Sequence, residues 1–453
     1  MDHVFLSRLQ FAFTAMFHIL WPVLTIGLSL FLVFWEWRWL TTGDESHRHH
    51  AKFWGRLFFL NVAVGVATGI PMEFQFGTNW AGFSTAGGDV FGHLLGFEAA
   101  MAFMLEASFL GIMLLGWERV PRRLHFFATL MVAVGASMSA FWIMDANAWM
   151  HTPTGGRFSE GRFLLESNWE AIFNPDMYWS VSHMWVACLE ISLFVVGGVS
   201  AWYLRSRRHT DFFLRSFKLA ALAAVAVTPV QIWLGDGSGR AVFEHQPAKL
   251  AALEAHWATN PPGEGAPWHI VAWPDPERQE NRFSLDVPYA LSLMTTHSPT
   301  GQVRGLREFP KEDHPPVWLP FYAFRVMIGV GFGLFFLMLW TAWAWRKGRL
   351  GARTVSEQKY LLWAWMAALP ASYLAMEAGW VSREVGRQPW IIYGVLRTDE
   401  AASRLPPNAV LGSLVAFAAI YALLLAVFLF FAWRILRKGP NFEEVAAAEV
   451  PPP

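Results

Sequence analysis

The chain is poor in charged residues and in cysteine. Only 15% of its 453 residues are Asp, Glu, Lys or Arg, against about 25% in an ordinary soluble protein. The 35 basic residues balance 35 acidic ones, so the chain lacks the positive excess of a nucleic-acid-binding protein and we expect no nucleic-acid partner. The single cysteine, Cys188, excludes an intramolecular disulfide and any zinc or iron–sulfur site built from several cysteines. A bound cofactor must therefore be held by His, Met or carboxylate side chains.

Hydrophobic residues, by contrast, make up 54% of the chain and aromatic residues 16%. A membrane-spanning helix needs about 20 mostly apolar residues, because the hydrocarbon core is about 30 Å thick. Nine stretches satisfy this requirement, and they cover residues 10–40, 53–76, 90–117, 124–150, 177–204, 217–235, 320–345, 360–382 and 410–433. The sequence therefore predicts an all-α membrane protein with about nine transmembrane helices.

Basic residues predict the orientation of these helices. Lys and Arg cluster after the odd-numbered helices, whereas residues 77–89 contain neither. By the positive-inside rule, the N-terminus lies outside and the C-terminus inside. The predicted organisation is helices one to six in residues 1–235, an extracytoplasmic loop at 236–318, helices seven to nine at 319–438 and a disordered tail at 439–453. The loop is longer than a structureless connection normally is, which indicates a functional role.

Ionisable residues within the apolar stretches point to function, since each costs about 2.5 to 3.5 kcal/mol at the bilayer centre unless it is paired or functional. Four candidate side chains lie about six to ten residues from the outer ends of their helices: His18, Glu98, His183 and Met327. Glu384 reaches the same outer half from the opposite chain direction. A lone buried His or Met is more often a packing residue, but together these types suit haem ligation and proton transfer. Composition and placement leave open a haem-bearing redox protein and a proton-coupled transporter.

Several short strings, in order along nearly the whole chain, resemble subunit I of the cytochrome bd-type quinol oxidases. The most specific is Glu384-Val385-Gly386-Arg387-Gln388-Pro389-Trp390. Others are Ser7-Arg8-Leu9-Gln10-Phe11-Ala12, Phe97-Glu98, Leu105-Glu106, Asn147-Ala148-Trp149-Met150, Phe324-Arg325-Val326-Met327 and Glu377-Ala378-Gly379-Trp380. Only about 30 residues separate Tyr289 from the seventh helix, so the chain resembles the family's short quinol-loop group, which includes the cyanide-insensitive oxidases.

The resemblance implies the haem-bearing subunit of a terminal quinol oxidase in the bacterial cytoplasmic (inner) membrane. Such an enzyme oxidises quinol at its outer face and reduces O2 to water with protons taken from the cytoplasmic side. The implied partners are quinol, O2 and a membrane subunit II, with small single-helix subunits as further candidates. The alternatives are a membrane b-type cytochrome that passes electrons from quinol to a protein acceptor, and a proton-coupled transporter.

The resemblance also implies three haems and their ligands. His183 and Met327 match the axial ligands of a low-spin haem b. His18 and Glu384 match the ligands of two high-spin haems, one a haem b and the other a haem d or a third haem b. Which of these two residues ligates the O2-binding haem stays open.

The remaining implied site residues surround the haems or handle protons. The family's strings assign cofactor-binding positions to Arg8, Arg325, Trp380 and Arg387, and an arginine can bind a haem propionate with two hydrogen bonds. The resemblance assigns proton transfer to Glu98 and Glu106, and quinol oxidation to Lys249 and Glu254 in the outer loop.

Overall fold

The structure is a computed structural model that describes residues 2–441, and most of these are helical. The helices are α1 (His3–Thr42), α2 (Glu45–Thr78), α3 (Ala81–Ala86), α4 (Gly88–Phe97), α5 (Met104–Leu115), α6 (Arg122–His151), α7 (Asn168–Ile172), α8 (Met177–Arg205), α9 (Thr210–His245), α10 (Pro247–Glu254), α11 (Ala290–Thr296), α12 (Trp318–Arg346), α13 (Lys359–Val385), α14 (Thr398–Ala401) and α15 (Pro407–Lys438). A π-helical segment, Glu98–Phe103, joins α4 to α5.

Eight helices within residues 2–441 are long and apolar enough to cross a membrane, with α4 to α5 counted as one helix. The predicted eighth span corresponds to α13, which has 27 residues and is not among the eight. Its aliphatic residues are interrupted by Trp, Tyr, Pro, Ser and Glu377, all of which lower its hydropathy. The all-α membrane fold is confirmed, whereas the count of nine spans and the orientation stay predictions.

The helices pack around α1, which contacts α2, α6, α8, α13 and α15. At the end of the bundle with the basic loops, the helices enclose a dense aromatic core that includes Trp54, Phe194, Phe213 and Trp365. Towards the opposite end the helices separate around a cavity. The fold therefore has one closely packed half and one half with space for a large ligand.

The end of the sixth predicted span differs from the structure. The glycines at 235, 237 and 239 predict a turn after residue 235, but α9 continues to His245. Two of these glycines lie where the helix approaches a neighbouring ring. An added Cβ at Gly235 would lie 3.3 Å from His183 Cε1, and one at Gly237 would collide with the Trp179 ring. Close packing against α8, rather than a turn, accounts for these two glycines.

The segment between α9 and α12 is structured. It begins with α10, which follows α9 directly, and it continues to the antiparallel hairpin of β3 (Trp268–Asp275) and β4 (Glu280–Val287). Two smaller hairpins lie elsewhere, formed by β1 (Gly156–Ser159) with β2 (Arg162–Leu165) and by β5 (Trp390–Ile392) with β6 (Leu396–Arg397). The predicted division into helical blocks, loop and tail stays a prediction, and residues 442–453 of the predicted tail lie outside the described residues.

Candidate functional site

A cavity of about 840 Å³ lies among α1, α2, α4 to α6 and α13. This volume is within the range of about 300–1,000 Å³ that ligand and cofactor pockets occupy. Most of its wall is apolar, but seven of the predicted site residues line it: Arg8, His18, Glu98, Glu106, Trp380, Glu384 and Arg387. The structure thus brings the two predicted high-spin haem ligands and the two predicted proton-transfer residues to one space. The other five predicted residues lie outside this lining.

His18 has one ring nitrogen fixed by α2. His18 Nδ1 lies 3.0 Å from Thr68 Oγ1, and the Thr68 hydroxyl lies 3.0 Å from the Val64 carbonyl oxygen. Because the hydroxyl has one hydrogen and donates it to that carbonyl, it accepts from His18 Nδ1–H. The lone pair is then on Nε2, which is the form of a neutral imidazole that binds metal. A Cβ at Gly69 would lie 3.0 Å from His18 Cε1, so glycine keeps the space beside the ring open.

The Glu384 carboxylate is held by three donors on two segments. Asn147 Nδ2 lies 2.9 Å and His151 Nε2 3.3 Å from Oε1, and Arg387 Nη2 lies 2.5 Å from Oε2. A carboxylate offers about four lone-pair sites, so one site on Oε2 stays available on a side chain that lines the cavity. Glu384 therefore has the free, oriented lone pair that a haem ligand needs.

A second charged pair, Arg383 and Asp176, stabilises the position of Asn147. Arg383 donates to Asn147 Oδ1 at 2.6 Å, to Ser180 Oγ at 2.9 Å and to Asp176 Oδ2 at 2.7 Å. Burial opposes ionisation of Asp176, but the Arg383 charge outweighs it, and the pKa of Asp176 is lowered to about 2. Arg383 thus orients Asn147 towards Glu384, as outer-shell partners orient metal ligands.

These contacts also explain why arginines lie at and after the end of α13, on the predicted outer side, where the positive-inside rule would not place them. Arg383 pairs with Asp176, Arg387 with Glu384, and Arg397 with Asp313. Arg387 is buried, which lowers its pKa, and its Nε and Nη1 have no hydrogen-bond partner among residues 2–441. Two unpaired guanidinium donors beside the cavity suit a carboxylate of a bound group, and a haem propionate is such a group.

Glu98 and Glu106 line the cavity along one side of α6. Ser139 Oγ donates to Glu98 Oε1 at 2.8 Å. One helical turn away, a Cβ at Gly135 would lie 3.0 Å from the Glu106 backbone nitrogen, so glycine allows α6 to approach closely there. The π-helical segment begins at Glu98, and such segments are frequent at functional sites.

His183 and Met327 lie outside the cavity, each against a glycine. A Cβ at Gly379 would lie 3.0 Å from Met327 Sδ, and one at Gly235 would lie 3.3 Å from His183 Cε1. His183 Nδ1 is buried without a partner among residues 2–441, and Nε2 has only a contact of 3.4 Å with Gln231 Nε2. This buried imidazole has few hydrogen bonds and a glycine beside it. It fits a haem ligand, because a bond to the iron would supply the partner that one ring nitrogen lacks.

Lys249 and Glu254 are buried side chains of α10, with exposures of 2% and 3%. Lys249 Nζ lies 3.4 Å from His151 Nδ1 and 3.2 Å from Gln246 Oε1. Burial lowers the pKa of Lys249 to about 7. One side chain, His151, therefore separates Lys249 from Glu384.

Glu254 forms an ion pair with Arg325. Arg325 Nη2 lies 2.6 Å from Glu254 Oε2, and the guanidinium also donates to the backbone carbonyls of Leu253 and His269. Burial nevertheless raises the pKa of Glu254. These bonds use four of the five N–H groups of Arg325. One N–H group is left for the predicted hydrogen bond to a haem propionate.

Two residues of this region were not predicted as site residues. Glu73 on α2 lines the cavity, and its signal was an acid within the apolar stretch at 53–76. His151 lies one helical turn after Asn147, so that both face Glu384.

Asp145, for which the sequence offered no role, accepts a hydrogen bond of 3.1 Å from Asn174 Nδ2 in a buried setting.

The donor set suits haem better than a bare metal ion. Within residues 2–441 no group of three or more His, Cys, Asp or Glu side chains could hold a metal ion. A haem iron needs only one or two axial side chains from the protein, and the candidate ligands occur singly or in pairs. These residues therefore fit haem rather than a bare metal ion.

The chain is similar to known proteins over nearly its whole length. The family model for cytochrome bd terminal oxidase subunit I matches residues 6–440. The chain is 35% identical to cytochrome bd ubiquinol oxidase subunit 1 of Bacillus subtilis, over 98% of this chain and 95% of the relative. It is 33% identical to cytochrome bd-II ubiquinol oxidase subunit 1 of Escherichia coli, over 97% of each. The bd oxidase structure from Geobacillus thermodenitrificans superposes with a TM-score of 0.88 at 32% identity, over 97% of this chain and 99% of that one.

Proposed function

Because the chain belongs to the cytochrome bd terminal oxidase subunit I family, we propose that it is the haem-bearing subunit of a quinol:O2 oxidoreductase of a bacterial inner membrane. Quinol is oxidised at the outer face, and O2 is reduced to water with cytoplasmic protons. The observation that carries the proposal is the cavity with His18 and Glu384 on its wall. In each side chain one metal-binding lone pair is free, on His18 Nε2 and on Glu384 Oε2, while hydrogen bonds hold the other polar atoms in place.

Haem, when bound, supplies the electron transfer and the binding and reduction of O2. The residues that would hold it are His183 and Met327 for the low-spin haem b, and His18 and Glu384 for two high-spin haems. Arg387 would bind a propionate through its two unpaired nitrogens. We keep haem d and a third haem b as the two candidates for the O2 site, because both take the same side-chain ligands.

Quinol oxidation is proposed at α10. A quinol hydroxyl loses its proton as the electrons leave, and Glu254 would accept that proton. Burial raises the pKa of Glu254, which increases its proton affinity and suits this role. Arg325, at 2.6 Å from Glu254, would stabilise the carboxylate before it accepts the proton.

Protons for water formation would travel along α5 and α6. Glu106 lies nearer the basic end of the bundle than Glu98, and both line the cavity. Eight residues of separation correspond to about 12 Å along a helix, so water between them must complete the relay. Ser139 would keep the Glu98 carboxylate oriented.

The relatives are described as subunit 1 of their oxidases, which supports a partner subunit II. We further propose this subunit as the source of the polar groups that lead protons from the inner surface to Glu106. Small single-helix subunits are proposed as additional partners. Isolation of the chain with full oxidase activity and no second large subunit would contradict this assembly.

The test of the proposed function is the absorption spectrum of the purified, dithionite-reduced protein, with and without carbon monoxide. We expect low-spin haem together with a high-spin haem that responds to carbon monoxide. A b-type cytochrome that serves a protein acceptor would show no such response, and a transporter would show no haem. Glu384→Ala should remove one high-spin haem signal, whereas Glu357→Ala, at an exposed position near the basic loops, should leave the spectrum unchanged.

A further inference from the structure

His151 connects the outer segment to the Glu384 carboxylate. It is the last residue of α6 and has an exposure of 0%. Its Nε2 lies 3.3 Å from Glu384 Oε1, and its Nδ1 lies 3.4 Å from Lys249 Nζ. Glu384 and Lys249 belong to α13 and α10, which are distant in sequence from α6 and from each other. One imidazole therefore joins three separate segments.

The contacts of Lys249 determine how this ring is oriented. A lysine ammonium only donates hydrogen bonds, and Lys249 Nζ faces two acceptors, His151 Nδ1 and Gln246 Oε1. These two atoms lie 3.2 Å apart and share the ammonium between them. When Nδ1 accepts from Lys249, the neutral ring carries its hydrogen on Nε2. That hydrogen points to Glu384 Oε1, beside the hydrogen of Asn147.

We propose that His151 is a positioning residue that couples the quinol-binding helix α10 to the carboxylate of Glu384. It docks α10 on the end of α6, and it supplies one of the hydrogen bonds that fix the direction of the carboxylate. The inference rests on the proposed function in that Lys249 serves quinol and Glu384 serves haem. Its consequence is that a change at the quinol side alters the surroundings of the haem ligand.

The docking part is tested without reference to haem, by hydrogen–deuterium exchange of the detergent-purified subunit complex. His151→Phe removes both hydrogen bonds and keeps a ring of similar size, whereas His151→Gln can keep hydrogen bonding. His125→Phe is the control, since His125 is a buried histidine of the same helix that contacts a different carboxylate, Glu36, at 2.8 Å. We expect exchange of α10 to be about tenfold faster in His151→Phe, the factor for a buried hydrogen bond of about 1.4 kcal/mol, and near wild type in the other two variants.

The coupling part is tested on the high-spin haem spectrum of the reduced protein. We expect His151→Phe to shift these bands without moving the low-spin bands, and His151→Gln to restore most of the shift. Lys249→Met should also shift the high-spin bands when His151 is present and should add nothing in the His151→Phe background. That non-additivity distinguishes coupling through His151 from two independent local effects.

Two results would overturn the inference: wild-type exchange of α10 in His151→Phe, or additive spectral effects of the two substitutions. Failure of the proposed function gives a different result. In that case wild-type protein lacks high-spin haem, or Glu384→Ala retains it, while the exchange experiment still decides whether His151 docks α10.

Discussion

Two of the three candidate haem-ligand sets, Glu384 and the pair of His183 and Met327, are built in opposite ways. Glu384 is surrounded by donors from Asn147, His151 and Arg387. His183, by contrast, has a long contact of 3.4 Å with Gln231 Nε2, and its Nδ1 has no partner among residues 2–441. A charged ligand in a low-dielectric interior needs several oriented donors to be stable, whereas a thioether is only a weak acceptor and a neutral imidazole has a single N–H donor and a single acceptor nitrogen. Glycines at 235 and 379 leave space beside these two side chains.

This difference indicates how each set responds to substitution. The surroundings of Glu384 depend on a network of side chains from α6, α10 and α13. Substitution of a polar residue elsewhere in that network should therefore alter the hydrogen bonds of the Glu384 carboxylate. The surroundings of His183 and Met327 depend on local volume, so only a change of size or of the ligand itself has an effect.

Replacement of a ligand should have the largest effect. We expect His183→Ala or Met327→Leu to abolish the low-spin haem signal and quinol-driven turnover, because each residue would supply one bond to the haem iron. The chain should still insert into the membrane and keep the high-spin bands. Absorption spectra of purified variants provide the measurement. Loss of the high-spin bands as well would show that the two sets are not independent, and normal low-spin spectra in both variants would refute the ligand assignment.

The second prediction concerns proton supply to the cavity alone. Glu106→Gln keeps the shape of the side chain and removes its proton transfer, and positioned proton donors typically contribute about 10² to 10⁴-fold to a rate. We expect O2 consumption to fall by at least about 10²-fold, while quinol still reduces the low-spin haem. Stopped-flow reduction and oxygen-electrode rates separate the two steps. If Glu106 only holds a helix contact, the Gln variant should turn over at the wild-type rate with normal charge separation in sealed vesicles.

The third prediction tests the importance of volume near Met327. A Cβ at Gly379 would lie 3.0 Å from Met327 Sδ, so Gly379→Ala should displace the thioether and shift the low-spin haem potential without loss of haem. Gly412→Ala on α15 is the matched control, because nothing lies within 4 Å of its added Cβ. Redox titration of both variants is the measurement. Equal potentials for the two variants would mean that the glycine is not needed for the fit.

The sequence predicts the helices well and the polar contacts between them poorly. Long apolar runs determine spanning helices whatever their neighbours, and the resemblance to the family identifies His18 and Glu384, which the structure brings to one cavity. The continuation of α9 through Gly235 and Gly237 was missed because glycines that permit close helix packing resemble turn glycines in sequence. The pairing of Glu254 with Arg325 and the contacts of His151 were missed for another reason. They join residues that are 71 to 233 positions apart, and no local pattern encodes such partners.

The last prediction uses the pH dependence of stability at Lys249. Burial is the main cause that lowers the pKa of this side chain to about 7, and the charges of Arg383 and Arg387 lower it further, while those of Asp176 and Glu384 raise it. His151 is a further titratable side chain in contact with Lys249. In the unfolded chain a lysine has a pKa of about 10.4.

Between about pH 7 and pH 10 the unfolded state therefore binds more protons at Lys249 than the folded state does, and linkage requires the free energy of unfolding to rise with pH over this window. Lys249→Met removes the titrating group, so we expect the difference in Tm between Lys249→Met and wild type to be largest at pH 7 and to shrink towards pH 10. Leu250→Met, a buried neighbour without a titratable group, should show a constant difference. Thermal denaturation of the detergent-purified complex at a series of pH values is the measurement. A Tm difference for Lys249→Met that stays constant from pH 7 to pH 10 would mean that Lys249 remains protonated over this range, and the hydrogen bond from its ammonium to His151 would then hold at every pH in the window.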